Sequence, residues 1–429
     1  MIRADGPVGI ADVELVLRPL GLTTRTDPRG FFLFPGIPDG PAELVARRPG
    51  FAPAVVSVQA GTPAASEVEI RLEPLAAMLD PIVSSATRDL RSLSAVAAAV
   101  SVADTSAIDR GRTVGLDVAL RMMPGVQAAS RYGTDEVNIG IRGSASRSRQ
   151  AVRGVAILLD GIPLTEPDGA ARLDLIELDA ARQIEVVRGP ASALYAGSPG
   201  GVVNVVSRTG RDSPGASLTT RFGGFGLRKV SGQFGGVFAG DRGSGFGSVS
   251  YSTLDGYRAH SDGDVLRGQA AFDYTTGRTR VALEGSGSRL DTRLPGPLTL
   301  REVDLDSRAA APTAETFGFG RTDHRYRVGA RLETAAGAGT ATGYFFAGGR
   351  TLFFPIPNSI VDLDLYRLQG GGRLRSGQLA GLPLEGILGF DADNLWGDDH
   401  RWANTGGTRG SLLDDGWFRV PSLGGYSQL

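Results

Sequence analysis

From Gly210 onward the chain is a succession of short alternating runs, and this alternation restricts the fold more than any other feature. SLTTRF, LRKVSGQFGGVF, FGSVSYSTLDGYR, VLRGQAAFDYT, TRVALEGSGSRLD, YRVGARLE, ATGYFFAGGRTLF, LYRLQGGGRLRS and LEGILGFDAD each put apolar and polar residues on opposite sides of an extended chain. Short turns such as Thr276-Gly277-Arg278 and longer polar segments such as Leu294–Gly320 join them. Glycine, 62 of 429 residues and concentrated after Gly189, disfavours helix in this half. The sequence has no apolar run of about 18 residues, so no membrane-crossing helix is predicted. Alternating strands with short turns at one end and long loops at the other are the pattern of an outer-membrane β-barrel. In Val265–Tyr274, the set Leu266, Gly268, Ala270, Phe272, Tyr274 opposes Arg267, Gln269, Ala271, Asp273, and the pattern leaves open which set faces lipid.

Upstream, IEVVRGPASALYAGSPGGVVNVVS (Ile184–Ser207) reads as strand, turn-rich connector, strand. Its small residues let backbone pass close to backbone. VAILLDGIPL (Val155–Leu164) is an apolar run ended by Asp160-Gly161, a hairpin dipeptide, and VNIGIRG (Val137–Gly143) alternates as a half-buried strand does. Asp117–Met122 predicts a short helix stopped by Pro124-Gly125. Ser94–Thr113 is helix-tolerant but weakly patterned, Arg142–Arg153 is polar, and Thr165–Asp174 is a polar turn before a short helix at 174–181.

Taken in order, LDVALRMMPGV, IRG, VAILLDGIPL and IEVVRGPASALYAGSPGGVVNVVS closely resemble the plug domain of TonB-dependent outer-membrane receptors. The wording IPLTEPDG resembles the ferric dicitrate type of that family. The resemblance implies that Arg142, Gly143, Asp160, Gly161, Glu185, Arg188, Gly189, Pro190, Tyr195, Gly200 and Gly201 form the plug's core and gate. It implies that plug arginines such as Arg142 and Arg188 meet acids of the barrel wall; Glu185 is a local candidate partner for them. It further implies that the polar segment with Arg147, Arg149 and Arg153 faces the ligand. The linker AAMLDPIVSSATRD lies where the family carries its TonB box, which points to Asp80, Pro81, Ile82, Val83 and Ser84. An extended segment of that kind adds as a strand to another protein's sheet edge.

Residues 4–73 hold several short strands between turn signals, with alternation at Val13, Leu15, Leu17 and at Val68, Ile70, Leu72, as in a small β-sandwich. GPVGIADVELVL, TDPRGFFLFPGIPDGPAELVARRPGFAP resembles a carboxypeptidase regulatory-like domain whose first strand is cut. No histidine precedes His260, so no His-based zinc site is expected there. The expected order is therefore a mainly β chain: a β-sandwich over 1–75, a linker with the TonB box over 76–89, an α+β plug over 90–210 and a partial antiparallel transmembrane barrel over 211–429.

Charge and composition narrow the function. With 45 basic and 46 acidic residues no field steers the chain to nucleic acid. There is no cysteine, hence no disulfide, thiolate metal site or cysteine nucleophile. Lys229, the only lysine, reads as coding bias. His260, His324 and His400 and the acids around Asp262 and Asp391–Asn394 read as exposed residues of polar connections, and no metal site, cofactor or enzymatic centre is expected. Met1–Asp12 holds no signal peptide. The 219 residues from Arg211 to Leu429 hold nine or ten strands, where a large receptor barrel uses about 22, so a piece of a longer protein is expected.

The function implied by the resemblance is TonB-driven uptake of a scarce solute, a ferric siderophore or ferric citrate, across the outer membrane. The partners would be TonB, the iron chelate and outer-membrane lipid, with capture by loops after residues 258, 293 and 353. Two other readings remain at this stage: a non-transporting ligand-sensing module, and a glycan importer of the same family.

Overall fold

The computed structural model describes residues 2–3, 9–48, 51, 54–60, 68–72, 82–83, 88, 91–92, 98–110, 115–130, 137–144, 151–189, 194–195, 197–376 and 386–428. The chain divides into two compact units, 1–82 with 92–94, and 83–91 with 95–429. Among the expected site residues, Asp80, Pro81, Ser84, Arg147, Arg149 and Pro190 lie outside the described residues.

In the first unit, β1 (Ile2–Arg3) pairs in parallel with β6 (Arg71–Leu72). Strands β2 (Glu14–Arg18), β3 (Leu22–Arg25), β4 (Gly40–Arg47) and β5 (Ala54–Ala60) form an antiparallel sheet in the order β3-β2-β4-β5. Alternation sets its inward face. Val13, Leu15, Leu17, Leu44, Ala46, Ile70 and Leu72 make one core, while Glu14 and Arg18 point out. The Thr26 hydroxyl accepts from Val13 N at 2.9 Å and donates to Ile10 O at 2.8 Å, closing the β3 turn onto that core.

Two short strands, β7 (Ile82–Val83) and β8 (Arg91–Ser92), come next in the chain. The second unit continues with β9 (Ala99–Asp104), α1 (Thr105–Arg110), α2 (Leu116–Arg121), β10 (Val126–Ser130), β11 (Val137–Ile141), β12 (Val155–Leu159), β13 (Ile162–Pro163), β14 (Ala181–Arg188) and β15 (Gly201–Ser207). Five of these strands form a mixed sheet in the order β13-β12-β15-β14-β9, and β10–β11 is a separate hairpin. The sheet is apolar on both faces. Ile157, Leu159, Ile184, Val186, Val203 and Val205 face one core, and Ala156, Leu158, Val187 and Val202 the other. This is why VAILL and VVNVV are continuous apolar runs rather than alternating ones.

In the helix-tolerant span 94–113, the helix among the described residues is α1. The segment before it is β9, which pairs with β14 from Ala99↔Arg188 to Gln183↔Asp104, so an open sheet edge overrides a weak helical preference. The helix expected at 174–181 is a single 3₁₀ turn, Leu178–Ala180, whose N-terminus is capped by Glu177.

The remaining ten strands are β16 (Gly215–Phe222), β17 (Arg228–Phe238), β18 (Gly243–Leu254), β19 (Gly263–Thr276), β20 (Thr279–Arg293), β21 (Gly320–Ala336), β22 (Gly339–Ile356), β23 (Ser359–Ser376), β24 (Gly386–Thr405) and β25 (Thr408–Gln428). They pair antiparallel in sequence order in one ten-stranded sheet, and β16 and β25 do not pair with each other. Two short helices, α3 (Leu300–Leu305) and α4 (Pro312–Thr316), lie in the long β20–β21 connection. Polarity is inverted relative to a water-soluble sheet. In β21, Arg321, Asp323 and Arg327 are buried while Tyr326, Val328 and Leu332 are exposed. In β19, Arg267 and Asp273 are buried and Leu266 and Phe272 exposed, which settles the facing that the sequence left open. An apolar outer face with a polar inner one is the arrangement that hydrocarbon on the outside favours.

Three expectations for this half are corrected. Residue 353 starts no loop: β22 runs on to Ile356 and turns through Pro357-Asn358 into β23. His324 and His400 lie in β21 and β24 rather than in connections. Asp391 and Asp393 are residues of β24, engaged by Tyr344 and by Arg367 respectively, because the strand extends well beyond the polar stretch that resembled a loop.

Positive φ calls for glycine at both Gly143 and Gly201, and at Gly201 a close approach adds to it. Gly201 has φ 143°, and a Cβ there would lie 2.1 Å from Val187 O; Gly143 has φ 81° with open space around it. Gly201→Ala is therefore expected to lower stability by about 3 kcal/mol, strain plus collision, against about 1 kcal/mol for Gly143→Ala. Urea unfolding followed by tryptophan fluorescence checks the order.

Candidate functional site

The mixed-sheet domain meets the inward faces of the strand wall through its acidic segment Glu166–Asp179. A polar turn supplies Glu166, the following stretch supplies Asp174, and the cap of the 3₁₀ turn supplies Glu177 and Asp179. Every one of these carboxylates is paired with a cation from the wall. Arg321 Nη2 donates to both oxygens of Asp174 at 2.9 Å, and Arg325 Nε lies 3.2 Å from Asp174. Arg325 Nη1 donates to Glu166 at 3.2 Å, and Arg267 Nε donates to the Asp174 carbonyl at 2.9 Å. Asp323, fully buried on β21 between these arginines, accepts from Arg321 at 2.7 Å and Arg350 at 2.6 Å. Since unpaired buried charges are costly, the six charged side chains Arg321, Arg325, Arg350, Glu166, Asp174 and Asp323 constrain one another.

A second set lies on β17. Lys229 Nζ is 2.7 Å from Glu177 Oε1 and 2.8 Å from Asp179 Oδ2, and all three side chains are buried. Arg221 lies 2.9 Å from Asp179, and Ser250 donates to Glu177. The single lysine, read from sequence as coding bias, thus occupies the one place where a compact ammonium bridges two carboxylates. Burial alone would raise the carboxyl of Asp179, but Lys229 and Arg221 hold it below the usual carboxylate range. Asp174 follows the same logic, with burial opposed by Arg321 and Arg325.

Backbone carbonyls of the β12–β13 hairpin complete the seam. Arg331 donates to Asp160 O at 2.8 Å, Arg367 to Thr165 O at 2.6 Å, and Gln369 to Pro163 O at 2.9 Å.

Most of the described site residues anticipated from sequence lie inside the mixed-sheet domain rather than on this seam. Asp160 and Gly161, both left-handed, turn the hairpin (φ 53° and 79°). Asp160 accepts from Ser207 N and Oγ at 2.7 Å, Asn204 accepts from Gly161 N at 3.0 Å, and Asn204 donates to Glu185 at 3.2 Å. Gly161 and Glu185 are therefore joined through Asn204, which sequence reasoning missed, while Asp160 holds Ser207. Gly200 and Gly201 pass within contact distance of Ser144 and Val187, and Gly189 N donates to Gly200 O at 3.1 Å.

The expected pairing of Arg142 and Arg188 with wall acids or Glu185 is not what the described structure shows. Arg188 donates to the carbonyl of Pro124 at 2.5 Å, Arg142 is exposed at a left-handed turn (φ 51°) beside Gly143, and Glu185 is held by Gln183 and Asn204. The polarity of the seam is reversed: the domain contributes acids and the wall contributes arginines. Arg153, anticipated as a ligand contact, is half-exposed and donates to Asp168 at 2.9 Å.

A further contact had no sequence signal. Arg88 lies between the rings of Tyr195 and Tyr426, 4.3 and 4.1 Å from their centroids, and donates to Asp391 of β24 and to Leu194 O. Tyr344 donates to the same carboxylate at 2.7 Å. Burial raises the Tyr195 phenol well above its usual range, so it is a neutral partner in this stack.

Residues 92–202 match the family described as the TonB-dependent Receptor Plug Domain. The fold is similar to solved outer-membrane receptors. The *Pseudomonas aeruginosa* FpvA–pyoverdine–iron complex shares 14% identity at TM-score 0.63, covering 81% of this chain and 51% of that one. The ferric citrate transporter FecA shares 18% identity at TM-score 0.60, covering 75% and 52%. The ferric yersiniabactin uptake receptor FyuA of *Yersinia pestis* shares 14% at TM-score 0.60, covering 77% and 53%. The chain spans about half the length of each of these proteins.

Two outcomes follow from the seam. Lys229→Met leaves Glu177 and Asp179 without their ammonium and is expected to cost about 3–5 kcal/mol, seen as faster proteolysis of the 95–207 region. The pH dependence has a definite sign: carboxylates with a lowered folded pKa contribute stability above their unfolded value of about 3.9, lost as pH falls through the folded pKa. Protease protection is expected to stay level from pH 7 to about 4 and to fall below it. Residues 92–202 thus match a TonB-dependent receptor plug domain, and the fold of plug and strand wall together is similar to that of the solved receptors.

Proposed function

We propose that the chain is the plug-bearing part of a TonB-dependent outer-membrane receptor that takes up a scarce solute, a ferric siderophore or ferric citrate, and moves it inward when TonB pulls the linker. The observation that carries this reading is the seam. An α+β domain is fastened to the polar face of a strand wall whose other face is apolar, by buried ion pairs between long side chains. Such a stopper is retained firmly and is released only by work.

In this reading Asp80–Ser84 is the strand offered to TonB. Its middle residues, Ile82 and Val83, already adopt extended backbone as β7. The expected ligand-facing residues are Arg147, Arg149 and Arg153, and the 255–262 and 294–319 connections serve capture. Arg258 braces those two connections, donating to Gly296 O at 2.7 Å and Ala309 O at 2.9 Å. The external partners are TonB, the iron chelate and outer-membrane lipid.

Deleting Asp80–Ser84 in the full-length gene is expected to abolish uptake of labelled ferric chelate while cells still bind it. Uptake at the unmodified rate would overturn the proposal.

A further inference from the structure

The wall's connections alternate between two ends. Turns 239–242, 277–278 and 337–338 lie at one end; the 255–262 connection, the 294–319 connection, the Pro357-Asn358 turn and the Gly406-Gly407 turn lie at the other. The second set is not a row of independent loops. Residues 294–319 have a core of their own: Leu294, Ala311, Ala314 and Phe319 are buried, and Leu298, Phe317 and Phe354 of β22 pack against them. The neck is closed by Leu294 N, which donates to Phe319 O at 3.0 Å, and by Ala311 N, which donates to Pro295 O at 2.7 Å. A Thr299–Glu302 capping box fixes α3 within the same connection.

Side chains from both flanks fasten this folded connection. On one flank Arg258 uses all three guanidinium nitrogens on its carbonyls: Nε donates to Ala309 O at 2.9 Å, Nη1 to Gly296 O at 2.7 Å and Nη2 to Pro295 O at 3.2 Å. Around it, Ala259 N donates to Arg308 O at 2.7 Å, the His260 imidazole shares a hydrogen bond with Phe319 O at 2.8 Å, and the Tyr257 and Ser307 hydroxyls lie 2.8 Å apart. On the other flank the register of β24–β25 shifts between Arg401 and Asn404, and a bulge of this kind re-aims a side chain. Asn404 Nδ2 donates to Phe317 O at 2.8 Å and to Ile356 O, the end of β22, at 2.9 Å, while its Oδ1 accepts from Gly407 N at 2.8 Å. Gly318 meets Gly407 backbone to backbone, so that a Cβ on Gly318 would lie 3.0 Å from Gly407 Cα. Neither fastener has a close substitute: lysine brings one nitrogen to three carbonyls, and aspartate has no N–H to donate.

Connections between strands ordinarily open singly and at little free-energy cost, because few buried contacts hold them. Here the carbonyls of one connection are satisfied by side chains of its neighbours across a shared apolar core, so opening any one leaves acceptors of the next without donors. We propose that the 255–262, 294–319, 357–358 and 406–407 connections form a single cooperative lobe that opens only as a whole. A solute or partner arriving at this end meets a preassembled surface rather than flaps that close one by one. The lobe's cohesion does not depend on the transport reading: deletion of Asp80–Ser84 tests that reading, and hydrogen exchange tests this one.

The test is native-state hydrogen exchange, read by mass spectrometry, on the purified full-length protein in detergent at increasing urea. In the unmodified protein the amides of 255–262, 294–319 and 403–408 are expected to converge on one exchange rate. Asn404→Asp is expected to raise exchange about tenfold, as loss of two hydrogen bonds implies, across 294–319 and also across 255–262 on the far flank. Arg258→Lys is expected to do the same across 403–408, with the amides of β20–β23 unchanged in both variants. Local loss of one fastener would not reach the opposite flank. Three segments exchanging at separate rates in the unmodified protein, or a rise confined to the residues around each substitution, would overturn the proposal. The first readout needs no variant, so it decides the matter even if a substitution prevents folding.

Discussion

The structure depends on how buried charge is satisfied at one seam. Strands whose outer face is apolar must carry their polar residues on the inner face, and in this chain many of those are arginines. Buried guanidinium groups need acceptors, and the carboxylates of residues 166–179 supply them. Wall and plug are therefore complementary in sign rather than merely in shape. A plug with an apolar surface would have left Lys229 without Glu177 and Asp179, and Arg321, Arg325 and Arg350 sharing Asp323 alone; a wall with an apolar inner face would have left Asp174 and Asp179 without their cations.

Ion pairing of this kind also divides the groups that fasten the plug from those that fold it. Its own folding rests on a sheet that is apolar on both faces and on the Gly161–Asn204–Glu185 hydrogen-bond chain, all internal to it. Its attachment rests on a different set of groups, mostly long cationic side chains reaching across from the wall. Folding and docking thus draw on different residues, which permits the docked state to be weakened without melting the domain. Arg88 adds a tie at the linker end, through Tyr195, Tyr426 and Asp391.

Much of the architecture was legible in the sequence because it is local. Period-two alternation specifies strands, Asp160-Gly161 specifies a turn in which both residues are left-handed, and the spacing of small residues between Ile184 and Ser207 specifies a tight connection. The seam was not legible, and the reason is register. Which of the wall's arginines point inward is set by parity along each strand, and which carboxylate each one meets is set by contacts such as Asp174–Arg321, 147 positions apart. The acids of TEPDGAARLD resembled solvated turn residues, and Arg142 and Arg188 looked the better candidates because they flank well-defined strands. Polar stretches also misled where the wall strands run long: Asp391, His400 and residue 353 lie in strands of 18 to 20 residues, well past the length the pattern suggested.

The central claim is that plug and wall are joined by coupled buried charges. A double-mutant cycle on Asp174→Asn and Arg321→Gln, read by denaturant unfolding of the plug, tests it most directly. The account predicts a coupling energy above about 1 kcal/mol, as partners in one buried network show. Effects that add to within about 0.5 kcal/mol would mean the two groups do not interact, and would contradict the account.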